Sequence, residues 1–98
     1  MKEVSPKELM QWIEQGKKLF LIDVREAYER EAFNIGGVHI PIGEAMERKE
    51  EFKREIPVVV YCEKGIRSAI IIQRLGQMGF ENLYNLSGGM SAWKSTSF

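Results

Sequence analysis

Scarcity is the first feature of this 98-residue sequence, which holds one cysteine, one histidine and no surplus of either charge. A lone cysteine excludes an internal disulfide. Cys62 and His39 together cannot supply the ligand set of a structural zinc, so no metal is expected. The 14 Lys and Arg residues balance the 14 Asp and Glu residues, which leaves no basic excess to grip nucleic acid and no acidic tail. No apolar run is long enough to span a membrane. The opening "MKEVSPKELM" lacks the apolar core of a signal peptide. With an unpaired thiol, these absences predict a reducing cytoplasm, and a domain cut from a longer chain fits them equally. The length suits one compact domain over residues 1–98 with one core. Nothing in it demands a second copy, so a monomer is expected.

What is present is a regular alternation. "VSPKELMQWIEQGKK" predicts a capped helix: Ser5 caps, Pro6 takes the first helical position, Glu8 completes a capping box and Gly16 stops it. Leu9, Trp12 and Ile13 share its apolar face. "LFLIDV" is a short continuous apolar run of the kind that forms a buried strand. "REAYEREAF" predicts a short helix, and "NIGGVHIPIG" a turn-rich loop with an extended piece at Val38 to Ile40. "EAMERKEEFKRE" predicts a solvated surface helix anchored by Met46, Phe52 and Ile56. "PVVVY" is the clearest strand, β-branched and introduced by Pro57. Helical spacing runs from Arg67 to Met78, with Ile71, Ile72, Leu75 and Met78 in one stripe. "NLYNL" is a further strand, and "SGGMSAW" a glycine turn into a last short helix. This order predicts an α/β fold, a mostly parallel sheet with helices on both faces. Ligands of such sheets bind at the carboxyl ends of strands, which is where Cys62 falls.

The segment "CEKGIR" joins that best strand to a helix. Successive backbone N–H groups in such a turn can form an anion cradle, and the helix N-terminus adds free N–H groups and partial positive charge. Gly65 permits the angles a tight cradle needs, and Lys64 and Arg67 add charge nearby. Each factor favours a thiolate over a thiol at Cys62. Glu63 opposes them, with an effect that is screened if it faces solvent. A free cysteine is most often a small buried hydrophobe, but such a residue has no need of a glycine-bearing turn and two cations. A cradled thiolate can attack phosphorus, attack sulfur and hold a persulfide, or exchange disulfides. Exchange lacks a resolving cysteine here. A protease-like pairing with His39 lacks, in "VHIP", any sign of an oriented base, and His39 reads as a loop residue packing "IPIG". Cysteine phosphatases place the loop arginine one residue further along, where this chain has Ser68. The shorter loop suits one bound sulfur atom better than a tetrahedral phosphate.

These residues resemble the rhodanese (sulfurtransferase) family along nearly the whole chain. "LIDVRE" is similar to its Asp-x-Arg element, "YCEKGIRSA" to its Cys-x-x-Gly-x-Arg-Ser loop, and "GFENLYNLSGGMSAW" to its closing segment. The resemblance implies a rhodanese-like three-layer fold of about five short, mostly parallel strands. It implies no cofactor. It implies that Cys62 takes a sulfane sulfur from a donor such as thiosulfate and passes it to cyanide, a thiol or a protein acceptor, with Glu63, Lys64, Gly65, Ile66, Arg67 and Ser68 forming the loop around it. Asp23 and Arg25 would be supporting residues, paired with Glu29 or Glu31, and Gly88, Gly89 and Trp93 turn and core. "FNIGGVHIPIG" departs from the family's Gly-His-Ile-Pro-Gly-Ala stretch: Asn34 stands at the usual histidine and Gly36 at the usual proline. "NIGG" followed by "IP" is similar to rhodanese modules at the C-terminus of enzymes that adenylate ubiquitin-like sulfur carriers.

Overall fold

A computed structural model describes residues 1–98. Strands and helices alternate as β1 (Glu3–Val4), α1 (Pro6–Glu14), β2 (Phe20–Asp23), α2 (Ala27–Ala32), β3 (Val38–His39), β4 (Val58–Tyr61), α3 (Ile66–Gly76), β5 (Leu83–Leu86) and α4 (Gly89–Ser95). The five strands pair in parallel in the order β1-β5-β4-β2-β3. Every crossover therefore carries a helix or a long loop over one face of the sheet.

The central strand β4 shows why both faces are covered. Side chains alternate along a strand. Val58 and Val60 enter a core with Ile71, Ile72 and Leu75 of α3, whereas Val59 and Tyr61 enter a second core with Leu9 of α1 and Met90 of α4. All four residues are buried, which is why "VVVY" reads as an unbroken apolar run. Cys62 continues the alternation and joins the α3 side.

The capping box of α1 forms as expected. Glu8 N donates to Ser5 Oγ at 3.1 Å, and Ser5 N donates to Glu8 Oε1 at 2.9 Å. Three expectations need correction. The stretch "EAMERKEEFKRE" is not an α-helix but two 3-10 turns, Ile42–Glu44 and Lys49–Glu51. Helix propensity in charged residues is too weak to hold a short helix without a packed apolar stripe, and this segment sends only Ala45 and Phe52 fully into the core. Arg48 ties it together through Glu44 at 3.1 Å and Glu51 at 2.7 Å. Helix α3 starts at Ile66, one residue earlier than its periodicity suggested, and ends at Gly76. Met78 consequently leaves the stripe and is 50% exposed. Strand β1 gave no sequence signal, because two residues on a sheet edge are too few to show a period.

Candidate active site

Cys62 is the first residue past β4, and its sulfur faces the start of α3. Sγ accepts the N–H of Gly65 at 3.1 Å and of Ser68 at 3.4 Å, and lies 3.3 Å from Ser68 Oγ. Gly65 caps the helix at φ 91°, a left-handed conformation that costs glycine little and other residues more. Cys62 is 0% exposed, so it is buried as well as cradled. Its bonding nevertheless differs from that of a packing thiol: an inert core cysteine does not gather two backbone donors and a hydroxyl. The cradle is held from the other side by the closing segment. Met90 N donates to Cys62 O at 2.9 Å and Ser91 N to Glu63 O at 3.0 Å. A Cβ on Gly89 would stand 2.3 Å from Cys62 O, so only glycine lets α4 approach the loop this closely. Gly88 and Gly89 thus support the loop as well as turning the chain.

The charges around the loop are arranged differently from the sequence-based expectation. Arg25 does not pair with Glu29 or Glu31. It forms a two-pronged bond with Asp23, Nε to Oδ1 and Nη2 to Oδ2, both at 3.0 Å, with both residues buried. It also donates to Phe33 O at 2.6 Å and to Glu63 Oε1 at 3.2 Å. Glu63 is therefore not screened by solvent; Arg25, Ser91 and Lys94 hold it. Burial works against the Glu63 charge, but Lys94, Ser91 and Arg25 outweigh it and keep the carboxyl below its usual range. Glu29 instead grips Arg67 through two bonds of 2.7 and 2.8 Å. Of the two loop cations, Arg67 is thus neutralised, while Lys64 is exposed and forms no ion pair.

A cysteine cradled by backbone N–H groups at the carboxyl end of a central parallel strand, on a loop tied down by buried charges, is a site suited to a sulfur nucleophile. The model of the Rhodanese-like domain matches residues 5–96. The chain belongs to the rhodanese-like domain family. It is 32% identical over 96 residues to the thiosulfate sulfurtransferase GlpE of Coxiella burnetii, covering 96% of this chain and 88% of that protein. It is 34% identical over 94 residues to the probable adenylyltransferase/sulfurtransferase MoeZ of Mycobacterium tuberculosis, covering 92% of this chain but only 24% of the relative's length. Among solved structures, a rhodanese-like domain protein from Staphylococcus aureus superposes with a TM-score of 0.87 at 26% identity, covering 95% of this chain and 91% of that one.

The rhodanese-like frame clarifies the departure at "FNIGG". Asn34 Oδ1 accepts from Gly36 N at 2.8 Å and its Nδ2 donates to Arg30 O at 3.0 Å, a side-chain turn built on asparagine. Gly36 has φ 91°, which a proline ring cannot adopt, so the turn that Asn34 builds excludes proline there. Tyr61 Oη then donates to Gly36 O at 2.9 Å, docking the turn onto β4. His39 Nε2 lies 2.7 Å from Arg25 O, and a carbonyl only accepts, so that nitrogen carries a proton. His39 lies in β3, paired with Asp23, rather than in the loop where the sequence reading put it. One site residue escaped the sequence reading altogether: Asn85 of β5, buried, donates to Gly65 O at 3.0 Å and accepts from Ser68 Oγ at 2.6 Å. An asparagine inside a run of strand residues was its only signal.

The Glu29–Arg67 bridge gives a pH-dependent prediction. Arg67 holds the Glu29 carboxyl down to about 2, from its ordinary value of 4.5. A carboxyl whose folded value is depressed stabilises fully above its unfolded value and loses that contribution as pH falls through the folded one. Glu29→Gln is therefore expected to lower the melting temperature at neutral pH by roughly 4 °C, from about 1 kcal/mol for a pair still partly open to solvent. The gap between variant and wild type should close between pH 4.5 and about 2. A gap that persists unchanged to pH 2 would assign the loss to packing instead.

Proposed function

We propose that this protein is a thiosulfate sulfurtransferase-like enzyme that carries a sulfane sulfur on Cys62. The observation that carries the reading is the pair of N–H groups, from Gly65 and Ser68, aimed at Cys62 Sγ. The similarity to a protein named thiosulfate sulfurtransferase supports the choice of donor. The Cys62 thiolate attacks the outer sulfur of thiosulfate, the sulfur–sulfur bond of the donor breaks, and sulfite leaves with the bonding pair. The persulfide's outer sulfur carries the negative charge inside the loop, where backbone donors stabilise it. Cyanide or a thiol then attacks that outer sulfur and releases Cys62 as thiolate. This is covalent catalysis with two half-reactions and ping-pong kinetics. Because Cys62 has no exposed surface, the loop must yield around the sulfur to admit each substrate. In this reading Lys64 draws in the anionic donor, Arg67 and Glu63 position the loop, and Asp23 and Arg25 support it from β2. The protein works as a monomeric domain in a reducing, cytoplasmic compartment.

Lys64→Ala tests the reading in a thiosulfate-to-cyanide assay. With its charge uncompensated, its loss is expected to raise KM for thiosulfate about three- to fivefold, leave kcat nearly unchanged and flatten the salt dependence. A fall in kcat at constant KM would assign Lys64 to the chemical steps instead. A second reading sends the sulfur to a protein thiol. Exposed apolar surface favours it: Tyr28 and Ile66, each adjacent in sequence to one partner of the Glu29–Arg67 bridge, are 73% and 68% exposed. It expects a persulfide on Cys62 with slow turnover to cyanide.

A further inference from the structure

The Ser68 hydroxyl stands between two acceptors. Its oxygen is 2.6 Å from Asn85 Oδ1 and 3.3 Å from Cys62 Sγ. The Asn85 amide can be oriented only one way, because a nitrogen is needed opposite Gly65 O at 3.0 Å, which leaves the amide oxygen facing Ser68. An amide oxygen accepts and never donates, so the Ser68 proton lies on the line to Asn85. The hydroxyl consequently presents a lone pair to the sulfur. For a protonated Cys62 the arrangement is fully matched: S–H donates to Ser68, Ser68 to Asn85, and Asn85 to Gly65. For a bare thiolate it is not. Either a lone pair faces the negative sulfur, or the hydroxyl swings to Cys62 and leaves the buried Asn85 Oδ1 unpaired, and both are unfavourable. A persulfide removes the conflict, because Sγ is then bonded to two atoms and the charge resides on the outer sulfur.

We infer that Asn85 is a positioning residue of the sulfur site: through Ser68 it withholds a hydroxyl donor from the Cys62 thiolate, favouring the protonated and sulfur-loaded forms. The sulfur-loaded half of this statement rests on the persulfide reading above; the thiol–thiolate half does not. The arrangement works against the loop's own N–H donors and sets a limit to the thiolate preference that the sequence alone suggests. The charged and titratable groups on the elements around the loop are Glu63, Lys64 and Arg67 from the loop segment itself, Tyr28, Glu29 and Arg30 from α2, Asp23 from β2 and the adjoining Arg25, His39 from β3, Tyr61 from β4 and Lys94 from α4. None of them is altered in the test that follows.

The test is a pH titration of the thiolate's ultraviolet absorbance, which needs no reagent to reach the buried sulfur. The chain's single cysteine makes the signal unambiguous once a Cys62→Ser baseline is subtracted. Asn85→Ala frees the hydroxyl to donate to the sulfur, so the midpoint is expected to fall by about one pH unit, the size of one hydrogen bond to a charged group. Ser68→Ala should not raise the midpoint, and the double variant should titrate with Ser68→Ala. A purely structural role for Asn85 would loosen the cradle and move the midpoint up, the opposite sign. A midpoint unmoved or raised in Asn85→Ala overturns the inference. So does a rise of about one unit in Ser68→Ala, since the hydroxyl would then already be donating to the thiolate. The second comparison decides the matter even if Asn85→Ala does not fold. Because no sulfur donor is used, a protein that never loads sulfur would still give a clear result.

Discussion

Cys62→Ser is expected to reduce thiosulfate-to-cyanide sulfur transfer to background while leaving the fold intact. Serine is nearly the same shape, and its oxygen can accept the Gly65 and Ser68 N–H groups that reach Sγ at 3.1 and 3.4 Å. The neighbouring contacts therefore survive, and the melting temperature should move by only a few degrees, about 1 kcal/mol or less. What is lost is the chemistry. A serine hydroxyl ionises far above neutral pH and does not attack divalent sulfur, so neither half-reaction starts. No other thiol exists in the chain to substitute for it. Transfer retained at more than a few per cent in a folded variant would remove Cys62 from the mechanism.

Arg25→Met is expected to be the most destabilising conservative-volume change in the molecule. Arg25 and Asp23 are 1% and 0% exposed and share two bonds of 3.0 Å. The isolated pair says little about net stability, because desolvating both charges offsets their attraction. Removing one partner is different: Asp23 would stay buried with only the Arg25 backbone N–H at 3.0 Å and the longer Arg30 contact at 3.3 Å, and Phe33 O would lose its donor. Breaking a buried pair in this way costs about 3–5 kcal/mol. For a chain of this size that corresponds to a fall in melting temperature of more than about 12 °C. Glu63 would also lose one of its holders, so transfer activity should decline in the fraction that remains folded. Arg25→Lys keeps the charge but not the two-pronged geometry and should recover only part of the loss. A urea midpoint within error of wild type for Arg25→Met would mean that Asp23 is satisfied without Arg25.

The central strand and the cysteine loop were legible in the sequence because burial and chemistry each leave local marks. A strand buried on both faces must be apolar at every position, and "VVVY" is. A loop that cradles sulfur must turn within a few residues, and Gly65 before the helix shows where. The ion-pair partners were not legible. Glu29 and Glu31 are both close to Arg25 in sequence, but the direction of α2 sends Glu29 to Arg67, 38 residues away. Glu63 looked like a solvent-facing opponent of the thiolate because nothing local shows that α4 will bring Lys94 and Ser91 to it. Asn85 was missed for the same reason: its partners, Ser68 and Gly65, come from a different crossover. The charged segment between β3 and β4 was misread in the other direction, local propensity suggesting a helix that tertiary packing did not support.

The most direct measurement is the intact mass of wild type and Cys62→Ser after incubation with thiosulfate in the absence of reductant. Wild type is expected to gain the mass of one sulfur atom, to lose it again on addition of cyanide, and to differ in both respects from the variant, which should gain nothing. A wild-type mass unchanged by thiosulfate and by persulfide donors alike, or an equal gain on Cys62→Ser, would contradict the assignment of Cys62 as the sulfur carrier.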